Sequence, residues 1–150
     1  MDNLTWLDRF KHARRAGVPL IGINTPDPAS TIRAIAAQQN GANPIVQWDI
    51  CRGVMPVNEP GRQVADQTGP EGDDTTIGQP PMFLAAAADY PEGTIAFMHN
   101  AQSYFDSPMI TQGVWNLRDS FKQDRRTLVL LSPALDPPAN LKDDIVVLDE

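Results

Sequence analysis

Residue types that could do chemistry gather at three places in this sequence. The first is the run Leu20-Ile21-Gly22-Ile23-Asn24-Thr25-Pro26-Asp27-Pro28-Ala29-Ser30, where an apolar strand-like segment turns into a helix start. In a nucleotide-binding α/β domain this junction carries a glycine-rich loop that holds phosphate against the helix N-terminus. Here the turn is Pro-Asp-Pro. Its two prolines have no backbone N–H, and Asp27 places a carboxylate where an anion would have to sit. No glycine or lysine occurs between Gly22 and Gly41, so neither close backbone approach to a phosphate nor a lysine partner is supplied. Thr25, Pro26, Asp27 and Pro28 thus read as a degenerate phosphate-loop position, a structural turn stiffened by proline.

The second place is the pair Cys51 and His99, each following an apolar segment. A Cys–His dyad is a nucleophilic arrangement, and Asp49 or Asp106 could orient the imidazole. No glycine pattern suited to an oxyanion hole flanks either residue, so the plainer reading is a small semi-buried cysteine and a strand-end histidine. The third place is the acidic run Glu71-Gly72-Asp73-Asp74, which lacks the alternation of a calcium loop and reads as solvated loop. One cysteine and two distant histidines give no metal-ligand spacing, and no metal site is expected.

Two further strand ends bear on nucleotide chemistry. The segment Thr94-Ile95-Ala96-Phe97-Met98 ends in His99-Asn100, where a hydrolytic site would carry an acidic pair for magnesium and water. Neither carboxylate is there; Asn100 and Gln102 can hydrogen-bond but cannot replace charged ligands. His99 and Asn100 therefore stand at a degenerate Walker B position. Thr127–Ser132 ends in Ser132-Pro133, a sensor-like polar residue with nothing to sense, which reads as a strand-end cap.

These positions need a scaffold. Asn3–Ala16 reads as a helix capped by Asn3 and stopped by Gly17. Val18–Asn24 reads as a strand, and Asp27 with Pro28 starts a second helix. Pro44–Trp48 reads as another strand, and Pro80-Pro81 opens a short helix through Ala88. Ser107-Pro108 starts the clearest helix, with Ile110, Val114, Leu117 and Phe121 at spacings of 4, 3 and 4. Thr127–Ser132 and Ile145–Leu148 complete the strands. Trp48, Trp115 and Phe121 are expected in the core or an interface, and Arg125-Arg126 at a solvated helix end that suits its dipole. Residues 53–79, with five glycines and three prolines, read as a long mobile loop and as the candidate contact for a partner. Helices separating short continuous apolar strands predict an α/β domain with a parallel sheet of about five strands covered on both faces.

The chain of 150 residues is one domain's worth. Its net charge of −7 argues against nonspecific binding to nucleic acid. A single cysteine fits a reducing compartment, and neither a signal peptide nor a membrane span is seen, so a cytoplasmic location is expected.

The segments NPIVQWDICRGV and NLRDSFKQDRRTLVLLSPAL, in this order around the elements above, resemble the N-terminal domain of AAA+ ATPases related to the plastid-encoded hypothetical ATPase of algal chloroplasts and its bacterial and phage homologues. The resemblance covers most of the chain outside residues 53–79. It implies a three-layer P-loop-NTPase-like (RecA- or AAA-like) domain with a degenerate phosphate loop and strand order 5-1-4-3-2. It also implies a longer parent protein, an ATP hydrolase, whose Walker A and Walker B residues lie beyond Glu150. ATP and magnesium would then belong to a downstream AAA+ module acting in cis, and this piece would hold no cofactor and no catalytic residue. A homo-oligomeric full-length protein and a client protein are further implied partners, with no nucleic acid and no membrane. Two other readings stand beside it: a stand-alone small α/β enzyme using Cys51 and His99, and a domain binding a neutral small molecule at the strand rim.

Overall fold

The structure is a computed structural model and describes residues 4–39, 41–68 and 74–150. The first helix, α1 (Trp6–Arg15), starts at a reciprocal capping box. The Asp8 amide donates to Thr5 Oγ1 at 3.1 Å while the Thr5 amide donates to Asp8 Oδ2 at 3.2 Å. The cap therefore falls on Thr5; Asn3, expected in that role, lies outside the described residues. Strand β1 (Leu20–Asn24) leads into α2 (Pro28–Gln38), whose N-cap is Asp27 with Pro28 in the first turn, as the sequence predicts. Then follow β2 (Ile45–Asp49), β3 (Gly53–Pro56), α3 (Glu59–Asp66), α4 (Pro80–Ala87), β4 (Ile95–Met98), a 3-10 turn at Ala101–Tyr104, α5 (Pro108–Gln123), β5 (Thr127–Ser132) and β6 (Val146–Asp149).

The six strands form one sheet in the order β3-β2-β4-β5-β1-β6. Every neighbouring pair is parallel except β2 with β3. With β3 set aside, this is the strand order that the resemblance implied. Strand residues alternate between two cores, as period-2 geometry demands. Leu20, Trp48, Met98, Leu128 and Leu130 face α3, α4 and α5; Ile21, Ile23, Phe97, Val129 and Leu131 face α1 and α2. The result is three layers. All four apolar residues singled out on α5 are buried. Trp48 is fully buried, stacked on Phe83 with ring centroids 5.1 Å apart, and donates its indole N–H to the Thr76 carbonyl at 3.2 Å. Trp115 instead lies at the surface beneath the Arg118 guanidinium.

Two expectations need correction. Residues 53–79 are not one long loop: β3 and α3 occupy their first half, with Val54, Val64 and Ala65 buried. The disorder-like composition concealed local anchoring. Asn58 caps α3 by accepting the Gly61 amide at 2.9 Å, accepts the Ile45 amide at 3.0 Å with the same oxygen, and donates to the Asn43 carbonyl at 2.8 Å. Gly61 is needed because a Cβ there would lie 2.1 Å from the Ile45 carbonyl oxygen. Beyond the undescribed residues, Asp74 accepts the Val54 amide at 2.8 Å, and the Gly78 amide donates to the Ile50 carbonyl at 2.8 Å. The partner-contact role rested on a mobile loop and loses that basis over these packed residues.

The second correction concerns Arg126, which is buried rather than solvated. Its guanidinium meets Asp124 Oδ1 at 2.6 Å, donates to the carbonyls of Ala88, Tyr90 and Ser120, and lies over the Phe121 ring. A short-range reading of the basic pair as dipole compensation could not see these partners from another helix and turn.

Replacing Asn58 tests the anchoring of β3 and α3. Asn58→Ala removes the cap and leaves the Ile45 amide without a partner, a loss of about 2–4 kcal/mol. That predicts a fall in melting temperature of roughly 5–12 °C. Asn58→Asp keeps the accepting oxygen and should lose less than half as much. Thermal unfolding of the Ala variant within a degree of the parent protein would show that this anchor is not holding the edge.

Candidate functional site

Ligands of open parallel sheets bind at the carboxyl ends of the strands. Here that rim is formed by the ends of β1, β2, β4, β5 and β6 and the residues after them, which include Thr25, Pro26, Asp27, Pro28, Cys51, His99 and Ser132. Between β5 and β6 the end of β1 is tied on both sides. The Asn24 carbonyl accepts the Glu150 amide at 3.1 Å, its side-chain amide donates to Asp149 at 2.7 Å, and its side-chain oxygen accepts the Leu135 amide at 2.6 Å. The Thr25 amide donates to the Ser132 carbonyl at 3.0 Å. Gly22 provides close approach in this strand, but the chain itself uses it: a Cβ there would lie 2.2 Å from the Leu135 methyl. Leu135 thus folds the segment after β5 over β1.

The N-terminus of α2 is capped from within the chain. Asp27 Oδ1 accepts the Ser30 amide at 3.2 Å, and the Thr31 amide bonds to the Asp27 carbonyl at 3.1 Å. The Asp27 amide donates to Thr25 Oγ1 at 3.0 Å, and the buried hydroxyls of Thr25 and Thr31 lie 2.8 Å apart. Thr31 also donates its hydroxyl to a Glu150 carboxylate oxygen. Asp27 therefore occupies an amide that a phosphate-binding helix keeps open, and the Glu150 carboxylate stands beside it on the Thr31 hydroxyl. Because a helix N-terminus carries partial positive charge, both are favoured there and both repel an incoming anion.

The rest of the rim is also internally paired. After β2, Asp49 closes its own turn, accepting the Cys51 amide at 2.9 Å, the Arg52 amide at 2.7 Å and the Arg52 Nε–H at 2.6 Å. Burial pushes the Asp49 carboxyl up, yet the bonds from Arg52 and Cys51 outweigh it and hold the group below the usual carboxylate range. After β4, the half-buried His99 ring shares a 2.9 Å hydrogen bond between Nε2 and the Gln47 side-chain oxygen. Burial lowers its pKa below 6.5, against the pull of the Asp49 charge. Asn100 adopts a left-handed conformation with φ of 55°, which its short amide tolerates, and opens the 3-10 turn. Gln102 clamps Asp136, accepting its amide at 2.6 Å and donating to its carbonyl at 3.1 Å.

The structure gathers the sequence-predicted residues on one rim without assembling a reaction centre from them. Cys51 is an exposed free thiol, and no hydrogen bond joins it to His99 among the described residues. Asp49 engages the Cys51 amide, not the imidazole. Among the described residues no three of His, Cys, Asp and Glu converge as a metal-ligand group, and Glu71–Asp73 lie outside them. The contacts that sequence reasoning missed are those of Glu150 and Leu135. Both join positions more than a hundred residues apart, and no local pattern announces them.

A three-layer α/β domain with a mostly parallel sheet and a P-loop-like layout is therefore the class that the fold and rim define. The chain belongs to the family described as the SpoVK-like AAA ATPase N-terminal domain, whose model matches residues 6–150. Comparison with the curated proteins and with the solved structures gives no match. Among the described residues no helix is long and apolar enough to cross a membrane.

The environment of His99 gives a prediction with a definite sign. With its folded-state pKa below 6.5, the unfolded chain binds more protons on falling pH, so stability present near neutrality is lost as pH drops through the folded value. An NMR titration should place the His99 midpoint below 6.5, and His99→Gln should reduce the decline in stability between about pH 7 and 5. A midpoint at or above 6.5 would show that the buried neutral imidazole is misassigned.

Proposed function

We propose that this domain is a noncatalytic assembly or recruitment module at the N-terminal side of a longer AAA+ ATPase, a nucleotide-binding fold whose own phosphate position is filled by protein carboxylates. The observation that carries the reading is the capped N-terminus of α2, where Asp27 accepts the Ser30 amide and Glu150 accepts from Thr31. An ATP triphosphate would have to displace both acids and would find no lysine and no glycine loop in their place. His99 and Asn100, at the strand end where hydrolysis needs carboxylates, supply none.

On this reading ATP and magnesium are bound by a downstream AAA+ module in cis, the full-length protein is a homo-oligomer, and a client protein is engaged in the cytoplasm. The closer kinship to the plastid-encoded ATPases rests on the segments around NPIVQWDICRGV and NLRDSFKQDRRTLVLLSPAL. The net charge of −7 supports a protein rather than a nucleic-acid partner. A Cys51–His99 enzyme gains no support from the geometry, because the imidazole is engaged by Gln47.

Calorimetry of the 150-residue protein with magnesium-ATP, together with amide chemical shifts, tests the proposal. No affinity tighter than about 1 mM is expected at the α2 N-terminus, and the amides of residues 24–31 should not move. Micromolar binding accompanied by shifts at residues 24–31 and 99–100 would refute it.

A further inference from the structure

The end of the sheet opposite the rim holds a second concavity, a cleft of about 650 Å3 formed at the C-terminal end of α1 and the turns that precede β4 and β5. That volume lies within the usual range for small-molecule sites. Four of the chain's twelve lysines and arginines line it: Lys11, Arg14, Arg15 and Arg125. Of the two carboxylates beside them, Asp124 is paired with the buried Arg126 at 2.6 Å, which leaves Glu92. Among the described residues, Lys11, Arg15 and Arg125 form no ion pair. The cleft thus holds a local excess of three positive charges in a chain whose net charge is −7.

This cluster is held in place, not scattered. The Arg14 guanidinium donates to the Arg125 carbonyl, to the Gly93 carbonyl at 2.5 Å and to Thr127 Oγ1 at 3.1 Å, which fixes the end of α1 to both turns. Its Nε–H is buried and has no partner. Arg125 sits in the left-handed region with φ of 60°, and its charge lies close enough to Arg14 to add to burial in lowering the Arg14 pKa to about 10. Gathering like charges without an anion is unfavourable, and the carbonyl ends of nearby helices offset part of that cost. A bound anion relieves that repulsion. None of the residues lining the cleft is aromatic, so nothing is built to stack a base; the charged groups of the ligand are what the site recognises.

We propose that this cleft is a binding site for a small polyanion, a compact molecule bearing two or more phosphate or carboxylate groups, seated between Lys11, Arg15 and Arg125 with Arg14 as the fixed cation. The proposal is independent of whether the opposite rim binds nucleotide.

The test titrates the 150-residue protein with inorganic pyrophosphate and, separately, citrate, at about 50 mM salt where surface charge is weakly screened. One-to-one saturable binding with Kd below about 1 mM is expected, with amide shifts at residues 11–15, 93 and 124–127. Tighter pyrophosphate binding assigns phosphate chemistry, and tighter citrate binding assigns carboxylate chemistry. Lys11→Gln with Arg125→Gly removes two exposed charges while glycine fits the left-handed backbone, so folding is retained and affinity falls at least about tenfold. Arg15→Gln, on the exposed helix surface, gives an independent loss. Binding that does not saturate, that is unchanged in these variants, or that maps to residues 24–31 overturns the proposal.

Discussion

The hydrogen bonds of Asn24 are the constraint on which the functional rim depends. At the end of β1, the Asn24 side-chain oxygen accepts the Leu135 amide, its side-chain nitrogen donates a hydrogen bond to Asp149, and its carbonyl accepts the Glu150 amide. These bonds draw the end of β6 and the segment after β5 onto β1. Only because β6 is held in this register can the Glu150 carboxylate reach Thr31 at the start of α2. A half-buried amide engaged through both its oxygen and its nitrogen favours one arrangement, since an alternative leaves donors or acceptors unpaired.

The electrostatic consequence is a division of the molecule into two ends. At the strand C-termini, Asp27 and Glu150 complement the α2 dipole, and Asp49 is consumed by its own turn. The donors named there are engaged by the chain itself. At the opposite end the arginines and one lysine converge with few acidic partners, and Arg14 ties three elements together while keeping its charge. The P-loop-like three-layer packing is thus kept while Asp27 and Glu150 sit at the start of α2. Membership of the AAA ATPase N-terminal domain family accords with this fold, and fold alone does not assign chemistry.

Much of this architecture was legible in the sequence, and the exceptions have physical reasons. The periodicity of Ile110, Val114, Leu117 and Phe121 marked the buried face of α5, and Asp27-Pro28 marked the start of α2. These signals are local. The β3–α3 excursion was not visible, because its short strand and proline-led helix gain order from Asn58 and from a glycine pressed against the Ile45 carbonyl. Thr5 was missed as a cap because Asn3 is an equally suitable capping residue type, and the deciding reciprocal partner, Asp8, was not weighed. Arg126 looked like a solvated helix end until its carbonyl partners on other elements were in view. At the rim, the absence of lysine and glycine was readable, whereas the carboxylate from Glu150 came from the far end of the chain. The basic cleft is of the same kind, built from positions near 11–15, 92 and 124–125.

A crystal structure of the protein grown from concentrated ammonium sulfate tests the central claim most directly, since sulfate occupies accessible helix N-termini as a phosphate would. The account predicts Asp27 on the Ser30 amide and Glu150 on Thr31, with no sulfate bound at the start of α2. A sulfate seated on the amides of Ser30 and Thr31, with Asp27 and Glu150 turned away, would contradict it.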